Sequence, residues 1–143
     1  MSSENLLEKI LDAPVGKVVD VLAEILNSDI KLLTIEQYTV SPHKFERKVT
    51  ITSDELPVIK AQVKFDSTVI PEFILDKLLK KKQGIGSILT QNNINATRKI
   101  ISLKHNPGEN KATRKYEIII DGTVWFTIIE EIRLENLGTS KNN

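Results

Sequence analysis

Two charged residues occupy positions where an alternating strand pattern calls for apolar ones. Over 45–52, Phe45, Arg47, Val49 and Ile51 alternate with Glu46, Lys48, Thr50 and Thr52, so Arg47 shares a face with apolar side chains. Over 124–132, Val124, Phe126, Ile128 and Ile132 share parity with Glu130, while Trp125, Thr127 and Ile129 share it with Glu131. One of two adjacent glutamates therefore points the same way as large apolar groups. An unpaired buried charge is too costly to keep. An inward Arg and an inward Glu either pair with each other or grip a small polar ligand at both ends. The guanidinium fork matches both oxygens of a carboxylate. A Glu desolvated among Phe126, Ile128 and Ile132 is suited to exchanging a proton. Strand parity favours Glu130, and a bulge or one-residue insertion in the last hairpin would put Glu131 there instead.

A third candidate is the Gly84-Ile85-Gly86 elbow. Residues without Cβ can take positive φ and let backbone N–H groups approach a bound molecule closely. Arg98 and Arg114 stand at expected strand starts. Each either reaches a second carboxylate of a ligand or caps a loop and pairs with surface acid.

The elements that must position these residues follow from periodicity. Residues 4–11 and 16–26 carry Leu, Ile and Val at helical spacing, with Pro14 and Gly16 between them. Asn27-Ser28-Asp29 makes a turn into a strand over 30–40, and the strand over 45–52 pairs with one ending at Asp66, in which Ile59, Ala61, Val63 and Phe65 alternate with Lys60, Gln62 and Lys64. Pro71 opens a short helix bearing Phe73, Ile74, Leu78 and Leu79, and the elbow turns the chain into a second one. The Lys80-Lys81-Lys82 run reads as a solvated helix end. Strands follow over 97–103, 115–120 and 124–132, the last two joined by Asp121-Gly122 as a type I′ turn. The polar stretch 105–114 reads as an exposed loop and 136–143 as a frayed tail. Loop 105–114 and the N-terminal helices are both candidates for a lid. The expected architecture is a single α+β domain over 1–143, with one antiparallel sheet of about five or six strands and helices packed over it.

Composition narrows the chemistry. A chain of 143 residues with a formal net charge of +1 fits one domain without a field that selects nucleic acid or an anionic membrane. The absence of cysteine removes disulfides, thiolate nucleophiles and cysteine metal sites. The two histidines, His43 and His105, lie in unrelated contexts and read as isolated surface residues, so a histidine-based metal site is not expected. No run approaches the ~20 apolar residues that span a bilayer, and no signal-peptide pattern opens the chain, so a soluble cytoplasmic protein is expected.

From Phe45 to about Leu134 the sequence resembles the chorismate lyase family, in its short archaeal and bacterial branch. The residues that carry the resemblance are Arg47 in FERKVTI, the Pro57 turn into PVIKAQVKF, the LL…GIGSIL elbow with Ile85-Gly86, the Thr97-Arg98 pair and the hairpin RKYEIIIDGTVWFTIIEEI. The resemblance implies an antiparallel sheet with helices on one side, shared with effector-binding domains of certain bacterial transcription regulators. It implies a chorismate pyruvate-lyase that eliminates pyruvate to give 4-hydroxybenzoate without metal or cofactor. By the same resemblance Arg47 is the carboxylate anchor, Ile85 supplies a backbone N–H and an apolar wall beside Gly86, and Glu130 meets the far end of the ring. Gln62 stands where some relatives have Arg, and Gly84 where relatives often have Pro. The alternative is a sensor or binding module on the same fold, which holds an aromatic or sugar-like acid without turning it over.

Overall fold

The computed structural model describes residues 3–105 and 108–137. Two helices open the chain, α1 (Ser3–Asp12) and α2 (Val18–Leu26). Their apolar stripes bury Leu6, Leu7, Ile10, Leu22 and Leu26. Helix α2 stops at Asn27, whose left-handed φ of 47° returns its N–H to the Ala23 carbonyl. Six strands follow: β1 (Ile30–Ser41), β2 (Lys44–Ser53), β3 (Leu56–Asp66), β4 (Thr97–Lys104), β5 (Lys111–Ile120) and β6 (Thr123–Arg133). Between β3 and β4 lie α3 (Glu72–Leu79) and α4 (Ile85–Gln91).

The strands form one antiparallel sheet in the order β1-β2-β3-β6-β5-β4, two three-stranded meanders joined at the β3–β6 seam. Tight turns join β1 to β2, β2 to β3 and β5 to β6, and residues 105–110 connect β4 to β5. Both central residues of the β5–β6 turn, Asp121 and Gly122, have positive φ (50° and 77°), as the type I′ geometry requires. The β2–β3 turn does the same with Asp54 and Glu55. Parity along β2, β3 and most of β6 is as the alternation predicts: Arg47, Val49, Val63, Phe65, Phe126, Ile128 and Glu130 are all buried on the helix-covered face, but at the start of β6, beside a bulge in the β5–β6 pairing, Trp125 is buried and Val124 exposed. Gln62 lies on the other face and donates to Glu46.

Two cores share that inner face. One joins α3 and α4 to Val63, Phe65, Tyr116, Ile118, Phe126 and Ile128. The other joins α1 and α2 to Val58, Ile59, Ala112, Ile132, Leu134 and Leu137. No helix among the described residues is long and apolar enough to cross a membrane.

Four expectations are corrected. Strand β5 begins at Lys111, paired with Arg133, because Ala112, Arg114, Tyr116, Ile118 and Ile120 continue one buried row, so most of 111–114 is strand rather than loop. Residues 134–136 form a 3₁₀ turn and Leu137 is buried, so 136 and 137 do not belong to a frayed tail; the rest of the expected tail, 138–143, lies outside the described residues. His105 is not a surface residue, since only 12% of its side chain is exposed and it lies 3.7 Å from Glu4. Neither elbow glycine has positive φ: Gly84 (φ −69°) is the N-cap of α4 and Gly86 sits in its first turn.

The need for glycine at position 86 comes instead from close approach. A Cβ there would lie 2.5 Å from the Cα of Gly16, which has φ +85° and whose own Cβ would lie 2.4 Å from Thr90 Oγ1 and 2.8 Å from the Gly86 carbonyl oxygen. The α1–α2 turn and the first turn of α4 thus touch backbone to backbone. Gly122 has a similar φ but open space around it. Gly122→Ala should therefore cost only the conformational term, about 1 kcal/mol, whereas Gly16→Ala adds a steric clash and should cost about 2–3 kcal/mol in denaturant unfolding. Equal losses for the two variants would refute the close-packing role.

Candidate functional site

Between the two helical pairs the inner face leaves a cavity of about 530 Å³, within the range of roughly 300–1,000 Å³ typical of small-molecule sites. Val49, Ile51, Ala61, Val63, Ile118 and Ile128 make an apolar floor. Residues 15–20 form one wall and 82–87 the opposite one, with Tyr116, Arg98 and Glu130 as the polar groups of the sheet. Of the residues expected to form a site, Ile85, Gly86, Arg98 and Glu130 line this cavity. Arg47, Arg114 and Glu131 do not.

Arg47 points inward and is fully buried, yet its donors are already committed. Nε donates to Gln37 Oε1 at 2.8 Å, Nη1 to the Gln83 carbonyl at 2.8 Å and Nη2 to the Leu78 carbonyl at 2.8 Å. Gln37, its cross-strand partner on β1, also donates to the Leu78 carbonyl. Burial lowers the guanidinium pKa to about 10, so it stays charged at neutral pH. Leu78 lies in the last turn of α3, where the helix dipole is negative, and Gln83 precedes the N-cap of α4, so the two bracket the α3–α4 connection. Arg47 therefore ties that connection to the sheet. The ion pair with Glu130 that its parity allowed is not formed.

Glu130 has another partner. Arg114 Nε donates to Oε1 at 2.5 Å and the Tyr116 hydroxyl donates to Oε2 at 2.7 Å. Arg114 is 1% exposed and sends Nη1 to the Leu11 carbonyl at 3.3 Å. Arg114 and Arg98 both lie against the Tyr116 ring, 4.7 Å and 5.0 Å from its centroid. Burial first, and then the Glu130 charge, raises the Tyr116 pKa far above that of an ordinary phenol, so it is a donor at every working pH. Glu131 faces the other side beside Lys111 and Arg133.

The charge balance of the cavity follows from these pairs. Among its ionisable lining groups, Lys17 sits 3.9 Å from Asp20 and Glu130 is matched by Arg114. Arg98 and Lys82 remain. Arg98 Nη1 donates to the Ala13 carbonyl at 2.7 Å, no carboxylate among the described residues pairs with it, and its Nε is enclosed without a partner. Lys82 is at the exposed rim. The hollow is thus apolar, with one uncompensated cation on its sheet side and a second at its mouth. No group of three or more His, Asp or Glu among the described residues is arranged to hold a metal. A second, smaller depression of about 380 Å³ lies on the opposite sheet face among Glu36, Lys48, Lys60 and Glu131. Its lining is a ladder of alternating surface charges, and Glu131 is the one candidate residue on it.

No protein-family model matches the sequence, and no curated protein matches it. Solved structures do. The chain is similar to PhnF from Mycobacterium smegmatis, with a TM-score of 0.52 and 9% identity over 83% of this chain and 64% of that one. It is also similar to a GntR-family transcriptional regulator from Bacillus cereus, with a TM-score of 0.49 and 12% identity over 75% of this chain and 92% of that one. A ligand-binding domain assigned to a GntR-family regulator from Bordetella bronchiseptica gives a TM-score of 0.45 and 9% identity over 74% and 85% of the two chains. At these identities the likeness concerns fold alone. The fold is the α+β, antiparallel, chorismate lyase-like one.

If Arg47 is a structural tie, its loss acts on stability in the absence of any ligand. Arg47→Ala leaves the Leu78 and Gln83 carbonyls without this donor and opens a void, and should cost about 3 kcal/mol, lowering the melting temperature by roughly 10 °C. A loss below about 1 kcal/mol in equilibrium unfolding would show that the tie is dispensable.

Proposed function

We propose that this chain is a small-molecule-binding module whose inner-face cavity takes an anionic ligand with an apolar body, anchored on Arg98. The observation that supports this most is the uncompensated Arg98 guanidinium on the edge of an otherwise apolar hollow of about 530 Å³. A cation held there without a carboxylate is a standing cost that a bound anion relieves, and a charge-assisted pair in such surroundings is stronger than a neutral hydrogen bond. The apolar floor supplies the rest of the affinity by burial. Lys82 at the rim suits a second polar or anionic end of the same ligand. The chorismate lyase-like fold agrees with this reading without assigning a ligand.

Benzoate and its neutral isostere benzamide separate shape from charge. In NMR titrations benzoate should perturb the backbone amides of Gly84, Ile85 and Gly86. Benzamide should bind at least tenfold more weakly, and Arg98→Gln should weaken benzoate binding at least tenfold. Absence of any perturbation localised to the cavity, by these or by a panel of small acids and alcohols, would sink the binding reading.

The finer reading, a chorismate pyruvate-lyase, asks for Arg47 to hold the ring carboxylate and Glu130 to exchange a proton with the departing group. The arrangement supports it less well. Arg47 does not line the hollow and is bonded to Gln37, Leu78 and Gln83, and both Glu130 oxygens are engaged by Arg114 and Tyr116. Arg98 is the remaining carboxylate anchor for such a substrate. Incubation of the purified protein with chorismate should yield neither pyruvate nor 4-hydroxybenzoate above the spontaneous rate; Arg98-dependent formation of both would restore the enzyme reading.

A further inference from the structure

The stretch from Ala13 to Asp20 is held differently from the helices on either side of it. Leu6, Leu7 and Ile10 before it, and Leu22 and Leu26 after it, are buried in the second core. Within it Pro14, Lys17, Val19 and Asp20 are exposed, and Val15 to Asp20 serve as a cavity wall. Of its apolar side chains only Ala13 is buried, while Val15 and Val18 are partly buried at the edges of the two cores, so the segment opens locally at lower free energy than the helices beside it.

Two contacts hold this wall to the far side of the hollow. One is the bond from Arg98 Nη1 to the Ala13 carbonyl, reaching across 85 residues of sequence. The other is the backbone contact of Gly16 with Gly86. The first uses the same guanidinium that faces the cavity with its Nε unpartnered. A guanidinium has five N–H donors, so the Ala13 carbonyl leaves others for a second acceptor.

We propose that residues 13–20 are a movable wall of the cavity, latched shut by Arg98, so that docking of the wall and occupation of the cavity are coupled through one side chain. When the latch breaks, α1 and α2 keep their own core, and only the turn between them swings away from α4. An anion on Arg98 neutralises the charge held beneath the wall, and its body fills the space against Val15 and Val18. Both effects favour the closed wall. This coupling rests on the cavity being a ligand site; the latch itself does not.

Hydrogen exchange followed by mass spectrometry, on the whole chain without ligand, tests the latch. In Arg98→Gln the amides of 13–20 should exchange at least tenfold faster than in the wild type, with those of β5 and β6 unchanged. Gly86→Ala, which pries the wall from α4 and leaves Arg98 in place, should accelerate the same amides. Wild-type exchange over 13–20 in Arg98→Gln overturns the proposal. So does an acceleration spread evenly through β5 and β6, which reports general destabilisation. If benzoate binds the wild type and leaves exchange over 13–20 unslowed, the coupling fails while the binding reading stands; if benzoate does not bind, the Arg98→Gln comparison still decides the latch.

Discussion

A guanidinium removed from water and from every carboxylate has to find oxygen elsewhere, and Arg47 finds it on the backbone of the α3–α4 connection. Its three bonds reach Gln37 on β1 and the carbonyls of Leu78 and Gln83. Position and orientation of α4 follow from this, because Gly84, the residue after Gln83, is its N-cap. One face of the cavity is therefore set by a side chain that does not touch the cavity. The cost of burying the charge is offset by three charge-assisted bonds to oxygen, two of them to backbone carbonyls of the α3–α4 connection. An apolar residue at position 47 would leave both carbonyls without this donor.

The second arginine system works on different terms. Arg114 and Glu130 neutralise one another deep in the sheet, Tyr116 satisfies the remaining carboxylate oxygen, and Arg98 stacks on the same ring without a counter-ion. Together these four residues carry one surplus positive charge at the place where the sheet, the α1–α2 turn and α4 meet. Arg114 and Arg98 also grip the carbonyls of Leu11 and Ala13, so the end of α1 is fastened by the same network that sets the cavity's electrostatics. Structural and ligand-directed roles are not separable here by burial alone. They are separated by which N–H groups are already used.

Much of this was legible from alternation. The inward placement of Arg47 and Glu130, the outward placement of Gln62 and the Asp121-Gly122 turn follow from a period of two and from φ preferences, which are local properties. What escaped was the choice of partner, which depends on chain segments brought together from far apart. Arg47 and Glu130 are both inward, yet each has a nearer acceptor or donor than the other. The signal for Arg114 was present: Ala112, Arg114, Tyr116, Ile118 and Ile120 alternate, but the polar residues interleaved with the first of them read as loop. The elbow suggests glycines chosen for φ, whereas the need at Gly86 lies in its contact with Gly16, a pairing no local pattern encodes. The cavity-facing role of Arg98 was left open because a lone Arg at a strand start has the same appearance whether it caps a loop or faces a hollow.

The way the two meanders join bears on how the chain is made. Within each, strands pair with their sequence neighbours and need little loop closure. The seam between β3 and β6 instead pairs Ile59 with Ile132 and Lys64 with Thr127, and the partners of α1 and α2 include Ile132, Leu134 and Leu137. Closing such distant pairs is the slow part of assembly. Helices α1 and α2 thus have no complete surface to bury against until β6 and residues 134–137 have been made, and their leucines and isoleucines stay in contact with solvent or chaperone over that interval.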